Sequence, residues 1–312
     1  MLLDGYKIVE LLGKGAHSEI YEVVRIRTGE RFAVKQVIRN SRDDDRFIEQ
    51  TLTDFAVSHA VRHPNLRASY EMHRKRPWFR VREVLLLMEF VPGQTLEAAR
   101  PQDWQTITAI FAQVIEGLEA LHAAGYIHAD MKPNNIIVTS QSAVKIIDFG
   151  QSCRIGTRKE RVQGTPDFIA PEQVARRTLD QRTDVFNFGA TMYWTLTGKT
   201  YPTDQRLLGE VRGHDITDPD LTDPPHVLNA SVPAGLSKLV MDCCRQSPGE
   251  RPPDMRQVRG RLVALQKLQK SAVERSGGRQ TPAGEGGAPR PAGRTRDGTA
   301  TQIEPFDGRD FE

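Results

Sequence analysis

The stretch HADMKPNN at positions 128–135 sets Asp130, Lys132 and Asn135 two and five residues apart, just ahead of the apolar run Ile136-Ile137-Val138. A carboxylate there can take a proton from an incoming hydroxyl. An ammonium can neutralise a phosphoryl group in transit, and an amide oxygen can ligate Mg²⁺. Thirteen positions after Asn135 comes KIIDFG, in which Asp148 ends a strand pattern and Gly150 frees the next turn. A second hard oxygen at Asp148 would complete a cation site bridging nucleotide phosphates. Two earlier stretches fit the same chemistry. In LGKGAHSEIYEV, Gly13 and Gly15 separate two strand patterns, and their missing Cβ atoms would let backbone N–H groups approach a phosphate. A plain hairpin turn would use the same glycines. In FAVK, Lys35 closes an otherwise apolar strand, so its ammonium would stand at the wall of a cleft facing phosphates or a carboxylate. A surface strand is the other reading of that lysine.

Such groups need elements to hold them. Up to about residue 90 the chain shows strand-like runs, YKIVELLG, EIYEVVRI, RFAVKQVI, LRASYEM and VLLLMEF, punctuated by Gly13, Gly15 and Thr28-Gly29. One helical pattern, over 44–61, interrupts them with Phe47, Ile48, Leu52, Phe55, Ala56 and Ala60 near the helical period. From Asp103 onward helices dominate, over 103–125, 180–197, 235–245 and 255–267, with Asp103 and Gly125 as start and stop signals for the first. The expected architecture is α+β: a small β-rich lobe at 1–90 and a larger helical lobe at 91–270. Residues 271–312 hold 8 Gly and 4 Pro among 42 residues and few apolar side chains, so they are expected to be a disordered tail.

Bulk composition removes several function classes. A formal net charge of +3 over 312 residues does not point to nucleic acid. The longest apolar run, VLLLM at 84–88, is far too short to span a membrane, and charge enters MLLDGYKIVELL too early for a signal peptide. Cys153, Cys243 and Cys244 make no disulfide framework and suit a reducing compartment, so a soluble, cytoplasmic protein is expected. The adjacent pair Cys243-Cys244 reads as core packing.

Taken together, the Gly-rich stretch, AVK, HADMKPNN, DFG and APE (Ala170, Pro171, Glu172) resemble the eukaryotic-type protein kinase family over about residues 6–265. HADMKPNN with Lys132 and GTPDFIAPEQ resemble the serine/threonine class, and the compact activation segment with IAPEQ is similar to that of the bacterial serine/threonine kinases. The resemblance implies a bilobal fold with ATP between the lobes, ATP and Mg²⁺ as cofactors, and protein substrates. It implies that the glycine-rich loop runs from Leu12 and Gly13 through Lys14, Gly15, Ala16 and His17 to Ser18. Lys35 would hold the α- and β-phosphates, Asp130 would be the catalytic base, and Lys132 would contact the γ-phosphate. Asn135 and Asp148 would hold Mg²⁺. Glu89 and Val91 would offer backbone groups to adenine with Met88 behind them, and Ile20, Ala33 and Ile137 would sandwich the purine. By the same resemblance Asp184 braces the catalytic loop, Glu172 pairs with Arg251, and Thr165 contacts Asp130 and Lys132.

The chain departs from that family at several positions. Counting back from HPN, the Lys35 partner falls on Asp54 where a glutamate is usual, with Glu49 as the next candidate. Ser58, one turn on, replaces a bulky apolar residue, so the helix is expected to be loosely held when no partner is bound. Alanine stands at 129, where many members carry an arginine that grips a phosphate on the activation segment. Arg154, Arg158, Lys159 and Arg161 could instead grip a phosphate from within that segment. The basic stretch HRKRPWFRVR at 73–82 could dock an acidic partner or a second copy, or simply be a solvated hairpin. The function expected is an ATP-dependent serine/threonine protein kinase. A pseudokinase scaffold without turnover is the alternative, and a small-molecule kinase is disfavoured by APE and Asp184.

Overall fold

Alternating strands rich in Val, Ile and Leu build the first layer. They are β1 (Tyr6–Lys14), β2 (Ser18–Arg25), β3 (Arg31–Ile38), β4 (Ser69–Lys75) and β5 (Glu83–Glu89), in one antiparallel sheet of order β1-β2-β3-β5-β4. The computed structural model describes residues 3–15, 17–75, 81–202 and 222–277. The ladder pairs Ile20 with Lys35, Lys35 with Leu86 and Ala33 with Met88. Paired residues of antiparallel strands point to the same side, so these five side chains share one face. Ala33, Leu86 and Met88 pack there with Ile20, Phe55 and Met72. The opposite face buries Val23, Phe32, Val34, Leu85 and Leu87. Helix α1 (Asp45–Ala60) lies between β3 and β4 in the chain and turns Ile48, Thr51, Asp54, Val57 and Ser58 inward.

The helical part begins with α2 (Trp104–Ala123), whose N-cap Asp103 accepts from the Thr106 amide as its sequence position predicts. Its apolar residues Ile107, Ile110, Phe111, Val114, Ile115, Leu118 and Leu121 recur every three or four positions and are all buried. Around α2 lie the short α3 (Pro171–Val174), the central α4 (Gln181–Thr197), α5 (Pro225–Leu228), α6 (Ala234–Cys243) and α7 (Met255–Gly277). Asp180 caps α4 by accepting from the Arg182 amide. Gly189 permits the contact of α4 with α6, since a Cβ there would lie 2.6 Å from that of Cys243. Cys243 and Cys244 are both fully buried in this core, as expected of packing cysteines. Small ladders complete the frame: β6 (Gly93–Thr95), β8 (Ile136–Thr139) and β9 (Val144–Ile146) in one, β7 (Tyr126–Ile127) and β10 (Cys153–Arg154) in another. A five-stranded sheet with one helix and a helical remainder make the α+β, bilobal fold expected.

Two boundaries differ from the sequence reading. The strand read in LRASYEM begins only at Ser69, because Leu66 and Arg67 are drawn off to bridge Ile146. Helix α7 extends past 267 to Gly277, so residues 271–277, expected to belong to a disordered tail, are helical. The run 266–276 contains no Gly or Pro and is rich in Gln, Lys, Ala, Glu and Arg, which carries the helix on. The remainder of the expected tail, 278–312, lies outside the described residues.

Candidate active site

The loop that carries Asp130, Lys132 and Asn135 leaves β7 at His128 and is held by one carboxylate. Asp184, wholly buried at the start of α4, accepts from the His128 amide (2.8 Å), the Ala129 amide (2.8 Å) and His122 Nε2 (2.8 Å). Burial opposes its charge, but the His122 hydrogen bond and the neighbouring His122 and His128 outweigh it, so the carboxyl stays below its ordinary range. This grip matters because Ala129 has φ +59°, a left-handed conformation that costs an alanine energy.

Asp130 follows, 8% exposed. Its Oδ1 accepts from both the amide and the hydroxyl of Thr165, each at 2.9 Å, while Lys132 Nζ lies 3.0 Å from Oδ2. Lys132 also donates to the Thr165 hydroxyl at 2.7 Å, which closes the contact anticipated for that threonine. Asn135 ends a 3-10 turn and donates from Nδ2 to the Asp130 carbonyl at 2.8 Å. That bond fixes the amide so that Oδ1 is its remaining ligand atom. The Ile147 amide donates to the Asn135 carbonyl at 2.9 Å, which draws the strand before Asp148 against this turn. Asn135 and Asp148 are both hard oxygen donors. Among the described residues no three His, Cys, Asp or Glu side chains group as a metal cage. Two such oxygens are ligands of the kind Mg²⁺ would take, alongside phosphate oxygens and water.

Lys35 Nζ lies 3.6 Å from Asp148 Oδ1 and 3.7 Å from Asp54 Oδ2. Burial opposes the lysine charge, but Asp148 and then Asp54 outweigh it and raise its pKa above the ordinary value. Lys35 in turn pulls the half-exposed Asp148 down to about 2. Asp54 also pairs, through Oδ1, with Arg67 Nη2. Glu49, the other candidate partner, is exposed. Ser58 donates to the Asp54 carbonyl (2.5 Å) and its Oγ lies 2.6 Å from Ser69 Oγ, which ties this turn of α1 to β4.

The remaining expected site residues lie on β1, β2, β5 and β8 and the segments beside them. Met88 is buried beside Ala33. The Glu89 amide donates to the Ala68 carbonyl at 2.9 Å and its carboxylate is held by Lys145 at 2.7 Å. Val91 follows β5, and Ile137 sits on β8 opposite Thr95. In the hairpin of β1 and β2, Gly13 and Lys14 belong to β1, Leu12 is 43% exposed, and the Gly15 amide donates to the Ser18 carbonyl at 2.7 Å. Ala16 lies outside the described residues. The His17 ring is committed to helix α1, with Nδ1 3.1 Å from Asp44 and the ring stacked on Phe47 at 4.2 Å. Only its backbone remains for a phosphate.

Sequence reasoning overlooked three residues that the fold brings to this site: Arg67, Gln173 and Asn187. Gln173 Nε2 donates to the carbonyls of Ala129 (2.8 Å) and Gln163 (3.1 Å), and Asn187 Nδ2 donates to Gln173 Oε1 (3.0 Å) and the Phe168 carbonyl (2.6 Å). The only signal for Arg67 was a charge inside the inward-packing run NLRAS. The basic residues of the activation segment are mostly spent on carbonyls: Arg154 on Ala124, Arg158 on Arg176 and Lys159 on Gln151. Glu172 and Arg251 form the expected buried pair at 2.7 Å. Of the basic stretch 73–82, residues 76–80 lie outside the described residues, and Lys75 pairs with Glu83 at 2.9 Å. Among the described residues no helix is long and apolar enough to cross a membrane.

The model of the protein kinase domain matches residues 6–261. Serine/threonine-protein kinase Pkn1 of Myxococcus xanthus is 26% identical over 79% of this chain and 36% of its own length. Serine/threonine-protein kinase A of Synechocystis is 28% identical over 81% of this chain and 51% of its own. Serine/threonine-protein kinase PknA of Mycobacterium tuberculosis is 26% identical over 79% and 58%. The chain thus spans between about a third and three-fifths of the length of these relatives.

Proposed function

This chain belongs to the protein kinase domain family, and we propose that it is an active serine/threonine protein kinase that transfers the γ-phosphoryl of ATP to a protein hydroxyl. The observation that carries the reading is the closed set of Asp130, Lys132 and Thr165, with the carboxylate at 3.0 Å from an ammonium and 2.9 Å from a hydroxyl. A carboxylate so fixed can take the substrate hydroxyl proton as the new O–P bond forms and the bond from the γ-phosphorus to the β-phosphate oxygen breaks, releasing ADP. Lys132 then neutralises charge on the transferring group, and Lys35 holds the α- and β-phosphates. Mg²⁺ held by Asn135 and Asp148 would offset phosphate charge. Adenine would lie against Ile20, Ala33 and Ile137, hydrogen-bonded to the Glu89 carbonyl and the Val91 backbone, with Met88 behind.

The three unpaired cysteines support a cytoplasmic setting. The partners are protein substrates, and the basic stretch 73–82 is the surface proposed for a docking partner or second copy. The test is incubation of the full chain with γ-labelled ATP, Mg²⁺ and a general protein substrate. Labelled phosphoserine or phosphothreonine that disappears with Asp130→Asn is expected. ATP binding without transfer would replace this reading with the scaffold one.

A further inference from the structure

The activation segment and the turn after α3 gather cations without gathering anions to match. Arg158, Arg161, Arg176 and Arg177 are all exposed, and none forms an ion pair with a described residue. Their hydrogen bonds go to carbonyls instead. Arg158 Nε donates to the Arg176 carbonyl at 2.8 Å, and Arg176 Nη1 donates to the Glu160 carbonyl at 3.3 Å. A carbonyl is neutral, so such bonds fix a guanidinium in place and leave its charge uncompensated. Arg161 makes no hydrogen bond with any described residue, and its charge works against that of Lys159. The carboxylates of the same stretch do not answer this charge. Glu172 is buried against Arg251 at 2.7 Å, and Asp180 is engaged at the start of α4. Only Glu160 and Asp167 are left exposed, against four arginines and Lys159.

This patch stands close to the reacting groups. Thr165, four positions after Arg161, is bonded to Asp130 through its amide and its hydroxyl, each at 2.9 Å. Four residues of chain span at most about 14 Å, so the Arg161 backbone lies within that distance of Thr165. Arg158 and Arg176 join the same patch through the Glu160 carbonyl. A protein hydroxyl brought to Asp130 carries its own chain neighbours with it. Residues two to four positions from the acceptor would lie roughly 7–14 Å from it, within reach of these arginines.

We propose that Arg158, Arg161 and Arg176 form a specificity surface for acidic peptide, selecting a serine or threonine with Asp or Glu two to four residues away. The inference rests on the reading of Asp130 as the base of a protein kinase. Unpaired like charges raise the local potential, which draws an anionic segment in and disfavours a cationic one. Peptide fits better than nucleic acid. Phe168, the one aromatic residue in 154–177, is buried, which leaves no ring in the stretch for a base to stack on. The selection acts on the protein substrate and leaves ATP untouched.

The test uses the full chain and degenerate peptide pools around a fixed threonine, with Glu, Gln or Lys placed two to four residues to either side. Exposed ion pairs are individually weak, so kcat/KM for the Glu pool is expected to exceed that for the Lys pool about fivefold to tenfold. Raising salt from about 0.05 to 0.5 M should shrink this ratio. Arg161→Glu with Arg176→Glu should lower it at least about threefold, with the KM for ATP and the rate on the Gln pool held within about twofold. A wild-type ratio below about threefold overturns the proposal, and so does a ratio that salt or the double variant leaves in place. An equal loss on the Gln pool also overturns it, since that marks damage to the segment. Should the double variant fail to fold, Arg161→Gln replaces it: a lowered ratio supports the proposal and an unchanged one overturns it. If wild type binds ATP but transfers nothing, the kinase reading falls. Dissociation constants of the labelled pools, by fluorescence anisotropy, then judge the surface by the same ratios. A single-stranded oligonucleotide that binds more tightly than the Glu pool overturns the peptide assignment.

Discussion

The side-chain nitrogen of Gln173 donates to the main-chain carbonyl of Ala129 at 2.8 Å, joining α3 to the catalytic loop through a neutral, buried bond. The same side chain reaches the Gln163 carbonyl, and Asn187 locks its oxygen. Activation segment and catalytic loop are thereby connected at the residue where an arginine would otherwise wait for a phosphate.

Activity should accordingly depend little on phosphorylation between Asp148 and Glu172. A charge-assisted contact to a phosphate would contribute about 1.5–3 kcal/mol, or one to two powers of ten in rate, and Ala129 cannot form it. Phosphatase-treated and autophosphorylated protein, assayed on one peptide, should agree within about threefold, as should Thr157→Ala. Gln173→Ala, which leaves the Ala129 and Gln163 carbonyls without this donor, should cost about 1–3 kcal/mol of stability in urea titration. A tenfold drop on dephosphorylation would point instead to Arg161 and its basic neighbours.

Replacing the proposed base should separate chemistry from binding. A positioned base contributes roughly 10²–10⁴-fold, so Asp130→Asn should lose about that much kcat while ATP affinity persists. Thr165→Ser, which keeps the hydroxyl between Asp130 and Lys132, should retain more kcat than Thr165→Val. Single-turnover rates and ATP titration on each variant check both statements.

Asp54→Ala removes the carboxylate shared by two cations that are both largely buried. Breaking a buried pair from one side costs about 3–5 kcal/mol. The urea midpoint of Asp54→Ala should fall accordingly at neutral pH. A midpoint equal to wild type would mean that Arg67 finds another partner.

The Lys35 and Asp148 pair carries a pH signature. Lys35 depresses the Asp148 pKa from the ordinary 3.8 to about 2. A depressed carboxyl contributes stability that is present above its unfolded value and is lost as pH falls through its folded one. The stability difference between wild type and Asp148→Asn should therefore stay level above pH 4 and change, to the detriment of wild type, between about pH 4 and 2. On the alkaline side the raised Lys35 pKa gives a contribution that is fully present below the ordinary lysine value and is lost as pH rises from there through the folded one. Urea titrations across both ranges, with Lys35→Met as the second reference, test the pair from each end.

Much of this site is legible in the linear chain because its chemistry is local. Asp130, Lys132 and Asn135 lie within six residues, and one 3-10 turn brings the Asn135 amide onto the Asp130 carbonyl. Asp103 and Asp180 start their helices through bonds to amides two or three residues on, and a two-residue period is enough to put Ala33 beside Lys35 on one face of β3. Other features depended on which groups leave water together. Asp54 lies 3.7 Å from Lys35 as its register predicts, and folding also buries Arg67 against it, a second cation that only packing brings there. Gln173 meets Ala129 across 44 positions of chain, and Asp184 meets His128 across 56. The sequence by itself determined the fold family, the candidate set of Asp130, Lys132 and Asn135, and the starts at Asp103 and Asp180, since each rests on bonds or periods within a few residues. The tertiary structure alone decided how the buried charges and amides are shared, since that depends on the distances packing imposes between remote segments once water is excluded.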